Sequence, residues 1–265
     1  MKKIQLFADS GGSKTDWILM SSDNIIKEFT TASFKPNCLD SELLVSLKEN
    51  LSYEFDQINL TFFGSGCHNP AGKKTTAYFF KDFKAVNIYS DAEGAVFATI
   101  GDNDGFSVIL GSGSVFITQK NQKISFLGGE GPVKGDFGSG HYASVLVLDS
   151  LFNNKFENKI IRVFCEKNEI TPFNYKSEEK VTALLEMSRI LVSPIFKEFH
   201  QKNIDLFLNK WVVPNTEKGD ILHFVGGYAN GNSKLLKEGV SIAERSLGQV
   251  LDRPLLQTVN YIQTK

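Results

Sequence analysis

A glycine- and hydroxyl-rich segment near the N-terminus is the first part of the chain that could do chemistry. The mostly apolar run Ile4 to Ala8 leads into Asp9, and a second apolar run begins at Trp17. The segment between them consists of Ser10, Gly11, Gly12, Ser13, Lys14 and Thr15. A P-loop is excluded, because Ser13 rather than glycine precedes Lys14 and a strand-like run rather than a helix follows. The pattern predicts a β-hairpin with a small polar tip.

This tip suits the phosphates of a nucleotide. Glycine allows backbone N–H groups to converge on oxygen anions, and serine and threonine hydroxyls add neutral donors. Lys14 would add a mobile positive charge. Asp9 precedes the tip and would repel a phosphate, so its expected role is to hold Mg²⁺, directly or through water, beside the β and γ phosphates. The alternative is that Asp9 caps its own turn.

Two further glycine-rich turns follow along the chain. About a hundred residues later a second hairpin tip occurs between two strand-like runs and consists of Gly111, Ser112, Gly113 and Ser114. This internal repeat, which we call the internal echo, predicts two similar lobes that each begin with a three-stranded meander. The alternative is a chance similarity, because any α/β protein has several Gly/Ser turns. A third site, Gly226-Gly227, joins the run Ile221 to Val225 to a helix and would admit an adenine or ribose, or form a plain tight turn.

Two carboxylates are candidates for acid–base chemistry. Asp91 follows the strand-like run Val86 to Tyr89 and begins a helix, where open α/β sheets place their sites. A helix N-terminus favours the ionised carboxylate that a general base must be, but Asp91 could instead be an N-cap. Asp136 lies in the segment Gly135 to Gly140 ahead of another helix and could be a cap or a hydrogen-bond partner of a substrate.

Alternating strand and helix patterns must position these residues. The predicted strands are Ile4 to Ala8, Trp17 to Met20, Ile25 to Phe29, Leu60 to Phe63, Val86 to Tyr89, Phe106 to Leu110, Val115 to Thr118, Ile124 to Leu127 and Ile221 to Val225. The predicted helices are Ser41 to Leu51, Ala92 to Ile100, Gly140 to Leu151, Val181 to Phe207 and Ser233 to Leu247. Strands followed by helices predict an α/β protein with a mixed sheet.

Composition narrows the class of protein. A chain of 265 residues favours two lobes, and 29 basic against 30 acidic residues, without a dense Lys/Arg cluster, argue against a nucleic-acid partner. Three scattered cysteines, Cys38, Cys67 and Cys165, suit a reduced cytoplasm. The first apolar run is interrupted by Asp9, and no run reaches membrane-spanning length, so neither export nor a membrane partner is expected. The four histidines lack metal-ligand spacing.

In order and spacing, the three glycine motifs resemble those of the actin, Hsp70 and sugar kinase superfamily. Within it the chain is most similar to the BadF/BadG-type ATPases, and to their N-acetylglucosamine kinase-like branch. The similarity rests on the segment Asp9 to Trp17, on Gly-Ser-Gly-Cys at Gly64 to Cys67, and on Gly-Asp-Phe-Gly-Ser at Gly135 to Ser139. It covers essentially the whole chain.

This resemblance implies two ribonuclease H-like lobes with a cleft between them that closes on ATP, Mg²⁺ and an amino sugar. The lobes would be residues 1–101, joined by a C-terminal helix at 254–265, and residues 102–253. Asp91 would contact the sugar and act as the base, and the two hairpins and the Gly226-Gly227 joint would hold the nucleotide. The other implied sugar-pocket residues are Asn37, Ser65, Gly66, Ser114 and Asp136. A homodimer is compatible with the resemblance to this family.

Two departures from the family pattern keep other functions open. Val115 stands where related kinases typically have an asparagine that touches the sugar, and Phe137 stands where they commonly have glutamate. These changes could alter the acceptor sugar, or leave a nucleotide-binding regulator without turnover. A third function is an ATPase that activates a partner enzyme through a shared iron–sulfur cluster, for which the scattered cysteines offer no convincing pair.

Overall fold

The computed structural model describes residues 3–37, 39–131 and 135–265. Strands and helices alternate along the chain. The strands are β1 (Ile4–Ser10), β2 (Lys14–Ser21), β3 (Asn24–Ala32), β4 (Ile58–Gly64), β5 (Ala85–Ser90), β6 (Gly105–Leu110), β7 (Ser114–Lys120), β8 (Lys123–Gly128), β9 (Ile221–Val225) and β10 (Ser246–Leu251). The α-helices are α1 (Glu42–Asn50), α2 (Pro70–Phe79), α3 (Asp91–Thr99), α4 (Gly140–Phe152), α5 (Lys159–Lys167), α6 (Val181–Ile190), α7 (Lys197–Phe207), α8 (Gly227–Gly231), α9 (Ser233–Ile242) and α10 (Leu255–Gln263). Short 3₁₀ turns cover Phe55–Gln57, Glu178–Lys180, Pro194–Phe196 and Val213–Asn215, and a π-helical turn covers Leu208–Val212.

The strands form two five-stranded sheets with equivalent strand orders. The first sheet has the order β3-β2-β1-β4-β5 and the second, read in the same direction, has the order β8-β7-β6-β9-β10. In the first sheet β1 is antiparallel to β2 and parallel to β4, which is parallel to β5. In the second sheet β9 is parallel to both β6 and β10. The α/β class and the internal echo are therefore confirmed.

The chain divides into two compact units. Unit 1 comprises the described residues of Met1–Asp104, Gln119–Ile124 and Arg253–Lys265. Unit 2 comprises the described residues of Gly105–Thr118 and Ser125–Asp252. Each unit contains one glycine-rich hairpin, at the β1–β2 turn and at the β6–β7 turn.

The core of unit 1 lies on both faces of its sheet. Because successive side chains of a strand point to opposite faces, Leu6 and Ala8 pack with Trp17 on one side. Phe7 faces the other side, where it packs against Leu255 and Val259 of α10. The last helix also contacts α3, since the Thr258 hydroxyl donates to the Gly94 carbonyl over 3.1 Å.

Two apolar clusters lie among the described residues of unit 2. One lies between β6, β9 and the helices α7 and α9, and includes Val108, Phe207 and Phe224. The other lies between α4, α5 and α6, and includes Leu148 and Leu184. In the described part of the chain, none of the helices has the length and apolar character that crossing a membrane requires.

Two predicted helices differ from the structure. The segment Val181 to Phe207 is not one helix but α6 and α7, separated by a turn at Pro194–Phe196. The break follows from Pro194, which has no N–H to continue the α-helical bonds. The predicted helix Ser233 to Leu247 ends at Ile242, and its last residues begin β10 instead.

Candidate functional site

The β1–β2 turn is held by buried hydroxyls. The Ser10 and Thr15 hydroxyls are fully buried and lie 2.7 Å apart, and the Phe34 N–H donates to both of them, at 3.1 Å and 3.3 Å. The Gly11 N–H donates to the Lys14 carbonyl over 3.1 Å and closes the hairpin. The side chains of Ser10 and Thr15 therefore stabilise the turn from inside, and the tip is formed by the exposed Gly11 and Ser13 with the half-buried Gly12 between them.

Carboxylates accumulate beside this turn. Asp9 lies directly opposite Asp16 in the β1–β2 register, and Asp16 is paired with the Lys14 ammonium at 2.9 Å. Burial raises the pKa of Asp9 to about 7, and the charges of Asp91 and Asp16 raise it further, against a smaller opposing effect of Lys14. Like charges this close favour the neutral acid unless a cation is present.

Three parallel strands bring the candidates of unit 1 to one edge of the sheet. Ser10 at the end of β1 pairs with Gly64 at the end of β4, and Gly64 pairs with Ser90 at the end of β5. Each of these strand ends leads directly into a candidate segment: the β1–β2 turn, Ser65-Gly66 and Asp91. The hydrogen bond from the Ser65 N–H to the Ser10 carbonyl, 3.0 Å, links the first two.

Asp91 is not the cap of its helix. Ser90 is the N-cap of α3, where its hydroxyl accepts from the Glu93 N–H at 3.1 Å and the Glu93 carboxylate accepts from the Ser90 N–H at 2.7 Å. The Asp91 carboxylate accepts from the adjacent Ala92 N–H at 3.0 Å. Burial raises the pKa of Asp91, while that N–H and the charge of His68 lower it. Its carboxylate is therefore free of the capping role that the sequence left open.

The predicted sugar-binding segment Ser65-Gly66 lies close to the chain just before Asn37. A Cβ atom added at Gly66 would lie 3.3 Å from Pro36 Cδ, and Asn37 follows Pro36 as an exposed residue. The structure thus brings Asn37, Ser65 and Gly66 into one neighbourhood of unit 1.

In unit 2 the second and third glycine motifs come together. The Gly111 N–H donates to the Gly113 carbonyl over 2.9 Å, which closes the β6–β7 turn. Gly226 has φ +111°, and a Cβ atom there would lie 2.6 Å from the Leu110 carbonyl oxygen and 3.3 Å from the Gly111 nitrogen. Only glycine allows this close approach. The Gly226-Gly227 joint therefore packs directly on the turn of Gly111, Ser112 and Gly113.

Asp136 lies against the same turn. A Cβ atom at Gly113 would lie 3.0 Å from Asp136 Oδ2, and Asp136 Oδ1 accepts from the Gly131 N–H at 3.1 Å. Asp136 is 6% exposed, and burial raises its pKa to about 6. The cap of α4 is Ser139 rather than Asp136, since the Ser139 hydroxyl accepts from the Tyr142 N–H at 3.1 Å.

Val115 and Phe137, the two departures from the pattern of the resembled kinases, are both half-buried apolar side chains. Val115 follows the buried Ser114, and a Cβ atom at Gly129 would lie 3.3 Å from Val115 Cγ2. The Phe137 ring packs edge-to-face on Tyr142, with centroids 4.6 Å apart, and lies beneath the Lys210 ammonium at 4.7 Å. Both side chains thus take part in local packing in unit 2.

Sequence reasoning missed several residues that hold these segments in place. Ser90 and Glu93 have the Ser-x-x-Glu spacing of a capping box, which could have identified the cap of α3. Asn203 of α7, with His200 and Tyr228, contacts the loop that carries Asp136, and no spacing signal marks it.

Comparison with known proteins gives similar structures but no similar sequences. No family model matches the chain, and no curated protein matches it. A solved structure of a candidate N-acetylglucosamine kinase from Porphyromonas gingivalis is 23% identical, with 98% of this chain and 99% of that chain covered and a TM-score of 0.84. A second candidate N-acetylglucosamine kinase, from Chromobacterium violaceum, is 14% identical, with 98% and 99% covered and a TM-score of 0.74. Component A of (R)-2-hydroxyglutaryl-CoA dehydratase from Acidaminococcus fermentans is 13% identical, with 99% and 100% covered and a TM-score of 0.55.

These similarities show the fold. The chain has the two-unit α/β fold of the actin-like ATPases and sugar kinases. At such identities a shared fold does not carry a shared activity, because one fold hosts many functions. The BadF/BadG membership stays a prediction, and function has to be argued from the site.

Proposed function

We propose that the chain is an ATP-dependent kinase that phosphorylates a hydroxyl of N-acetylglucosamine or a related amino sugar. The observation that carries the proposal is the Asp91 carboxylate, which directly follows β5 and is not used as the cap of α3. It lies at the same edge of the sheet as the β1–β2 turn at the end of β1. In phosphoryl transfer, catalysis is mainly positioning and charge neutralisation, with a carboxylate to accept the proton of the attacking hydroxyl.

Asp91 is the proposed catalytic base. Its raised pKa makes the carboxylate a better proton acceptor than an exposed aspartate, while the Ala92 N–H limits the rise and favours the ionised form. Asn37, Ser65 and Gly66 are the proposed sugar contacts in unit 1. Ser114 and Asp136 are the proposed sugar contacts in unit 2.

Glycine-rich turns are the proposed nucleotide-binding elements of each unit. In unit 1 the tip would offer the backbone amides of Gly12 and Ser13, with Lys14 beside it. The Gly11 N–H closes the turn, and Ser10 and Thr15 contribute through the shape of the turn. In unit 2 the contact of Gly226 with Gly111 supports one site formed by Gly111, Ser112, Gly113, Gly226 and Gly227. We propose residues 1–101 with 254–265, and residues 102–253, as the two lobes.

The residues around Asp9 fit a magnesium ion. The pKa of Asp9 is raised first by burial and then by the charges of Asp91 and Asp16, and a divalent cation there would relieve the repulsion between these carboxylates. Mg²⁺ is commonly held by one or two carboxylates together with substrate phosphates and water. Bound at Asp9, it would neutralise charge on the phosphates of ATP.

The test is ADP release from ATP and Mg²⁺ by the purified protein with a panel of acceptors. The panel contains N-acetylglucosamine, glucosamine, N-acetylmuramic acid derivatives, glucose and no sugar. The proposal expects release that depends on an amino sugar. Release without any sugar dependence, or none at all, would contradict it.

A second candidate is a nucleotide-binding regulator without sugar turnover. The apolar side chains of Val115 and Phe137 favour it, because neither can donate to or accept from a sugar hydroxyl. Calorimetry that detects ATP binding, combined with a flat acceptor panel, would support this candidate. For the partner-activating ATPase, Cys38 lies outside the described residues. Cys67 and Cys165 are both buried and burial raises the pKa of each thiol, which disfavours these two as cluster ligands.

A further inference from the structure

A buried polar network in unit 2 joins the nucleotide joint to the loop that carries Asp136. Its centre is Asn203 of α7, which is fully buried. Its carboxamide oxygen accepts from the Gly138 N–H at 2.7 Å. Its nitrogen donates to the Ser139 carbonyl at 2.8 Å and to the Tyr228 hydroxyl at 2.9 Å. One side chain thus contacts both segments.

The direction of every bond in this network follows from chemistry. The Leu191 carbonyl can only accept, so the His200 Nε2 that lies 2.7 Å from it carries the proton. His200 Nδ1 is then an acceptor, and the Tyr228 hydroxyl donates a hydrogen bond to it over 2.9 Å. Burial lowers the pKa of His200, which agrees with a neutral ring. Tyr228 therefore accepts from Asn203, and all donors and acceptors of the network are paired.

Both ends of the network touch proposed ligand-binding segments. Tyr228 directly follows Gly226-Gly227, the joint that packs on the Gly111 turn. Gly138 follows Asp136 by two residues, and it is closely packed, because a Cβ atom there would lie 2.9 Å from Phe207 and 3.0 Å from Leu110. Hydrogen bonds of Tyr228 and Asn203 therefore connect the Gly226-Gly227 joint to the backbone next to Asp136, and movement of the joint can displace that backbone.

We propose that Asn203 is a positioning residue that, through Tyr228 and His200, couples nucleotide binding at the Gly226-Gly227 joint to the order of the Asp136 loop. The inference rests on the proposed function, since it requires a nucleotide at that joint. Nucleotide binding then orders the Gly138 and Ser139 backbone and prepares Asp136 for the acceptor.

The test measures hydrogen exchange of the Gly138 amide with and without a non-hydrolysable ATP analogue and Mg²⁺. Exchange of this amide requires its bond to Asn203 to open, so it reports on the network directly. Asn203→Ala would leave several buried groups unpaired and lower thermal stability, so the primary variant is Tyr228→Phe. It keeps the ring packing and both bonds from Asn203 to the loop.

In the wild type the analogue is expected to slow Gly138 exchange about tenfold, a typical size for coupling between sites. In Tyr228→Phe this slowing is lost, although the analogue still binds. The matched control is Tyr175→Phe, which removes another tyrosine hydroxyl of unit 2, bonded to Asp149 outside the network, and keeps the slowing.

Two results overturn the inference alone: Tyr228→Phe retains the slowing, or the wild type binds the analogue with no change at Gly138. A wild type that does not bind the analogue overturns the proposed function and the inference together. Calorimetry on the same samples separates these cases, because it measures binding independently of exchange.

Discussion

Substituting Asp91 by asparagine separates chemistry from stability, because the neighbouring Ser90 performs the capping. The change removes the proton acceptor but keeps the size and shape of the side chain. General base catalysis typically contributes 10²- to 10⁴-fold, so kcat is expected to fall by about that factor. The capping bonds of Ser90 and Glu93, at 3.1 Å and 2.7 Å, remain in place.

The matched control is Ser90→Ala, one residue away. It removes the hydroxyl that accepts from the Glu93 N–H and is expected to cost about 1 kcal/mol, the usual loss at an N-cap. For a chain of this size that corresponds to a decrease in Tm of roughly 2–4 °C. Turnover should be largely retained, because the Ser90 hydroxyl is buried and bonded to the Glu93 N–H and carboxylate.

The assay couples ADP release to absorbance with Mg²⁺-ATP and the best acceptor of the panel, and thermal denaturation is measured on the same preparations. We expect Asp91→Asn to lose turnover at a Tm equal to or above that of the wild type, because burial disfavours the ionised carboxylate. Ser90→Ala is expected to lose Tm at nearly wild-type turnover. Sugar-dependent ADP release that is unchanged in Asp91→Asn would refute the role of this carboxylate. An equal loss of Tm in both variants would refute the assignment of the cap.

Three further outcomes are expected. Gly226→Ala should cost about 1–3 kcal/mol and weaken nucleotide binding, because its Cβ would meet the Leu110 carbonyl. The control is Gly231→Ala, where an added Cβ would lie in open space, and equal Tm values of the two variants would contradict the argument. Asp9→Asn should abolish the increase in ATP affinity that Mg²⁺ produces in calorimetry, and an undiminished increase would exclude Asp9 as a ligand. Burial raises the pKa of Asp136 from 3.8 to about 6, so between these values the native state binds a proton that the unfolded state has released. The free energy of unfolding of the wild type therefore falls as pH rises through this range. Urea denaturation below and above the range should show a smaller fall for Asp136→Asn.

Local patterns predicted most elements of the fold correctly. The hairpin at Asp9 to Trp17 was readable because glycine and hydroxyl residues interrupt two apolar runs. The error at Val181 to Phe207 had a visible signal, since Pro194 interrupts the helical period. Asn69 and Pro70 likewise carry the signal for the start of α2, where the Asn69 side chain accepts from the Gly72 N–H at 2.8 Å. Ser246–Leu251 was harder, because a short apolar run after a helix does not distinguish a strand from more helix.

The candidate site was only partly predictable, because strand pairing is not encoded locally. The turn at Ser10, the turn at Gly64 and the start of α3 are separated in sequence, and only the parallel register of β1, β4 and β5 brings them to one edge. The contact of Gly226 with Gly111 likewise depends on β9 pairing with β6. Asn203 carried no signal, since an asparagine within an amphipathic helix resembles an ordinary surface residue until its neighbours are known.

The return of α10 to unit 1 has a consequence for biosynthesis. Phe7, Ile18 and Met20 emerge from the ribosome early, whereas Leu255 and Val259, which cover them, are made after all of unit 2. Domains generally fold during synthesis as their residues become available. Unit 2 can therefore complete its core on the nascent chain before α10 covers this apolar face of β1 and β2, so the face stays exposed during that part of synthesis.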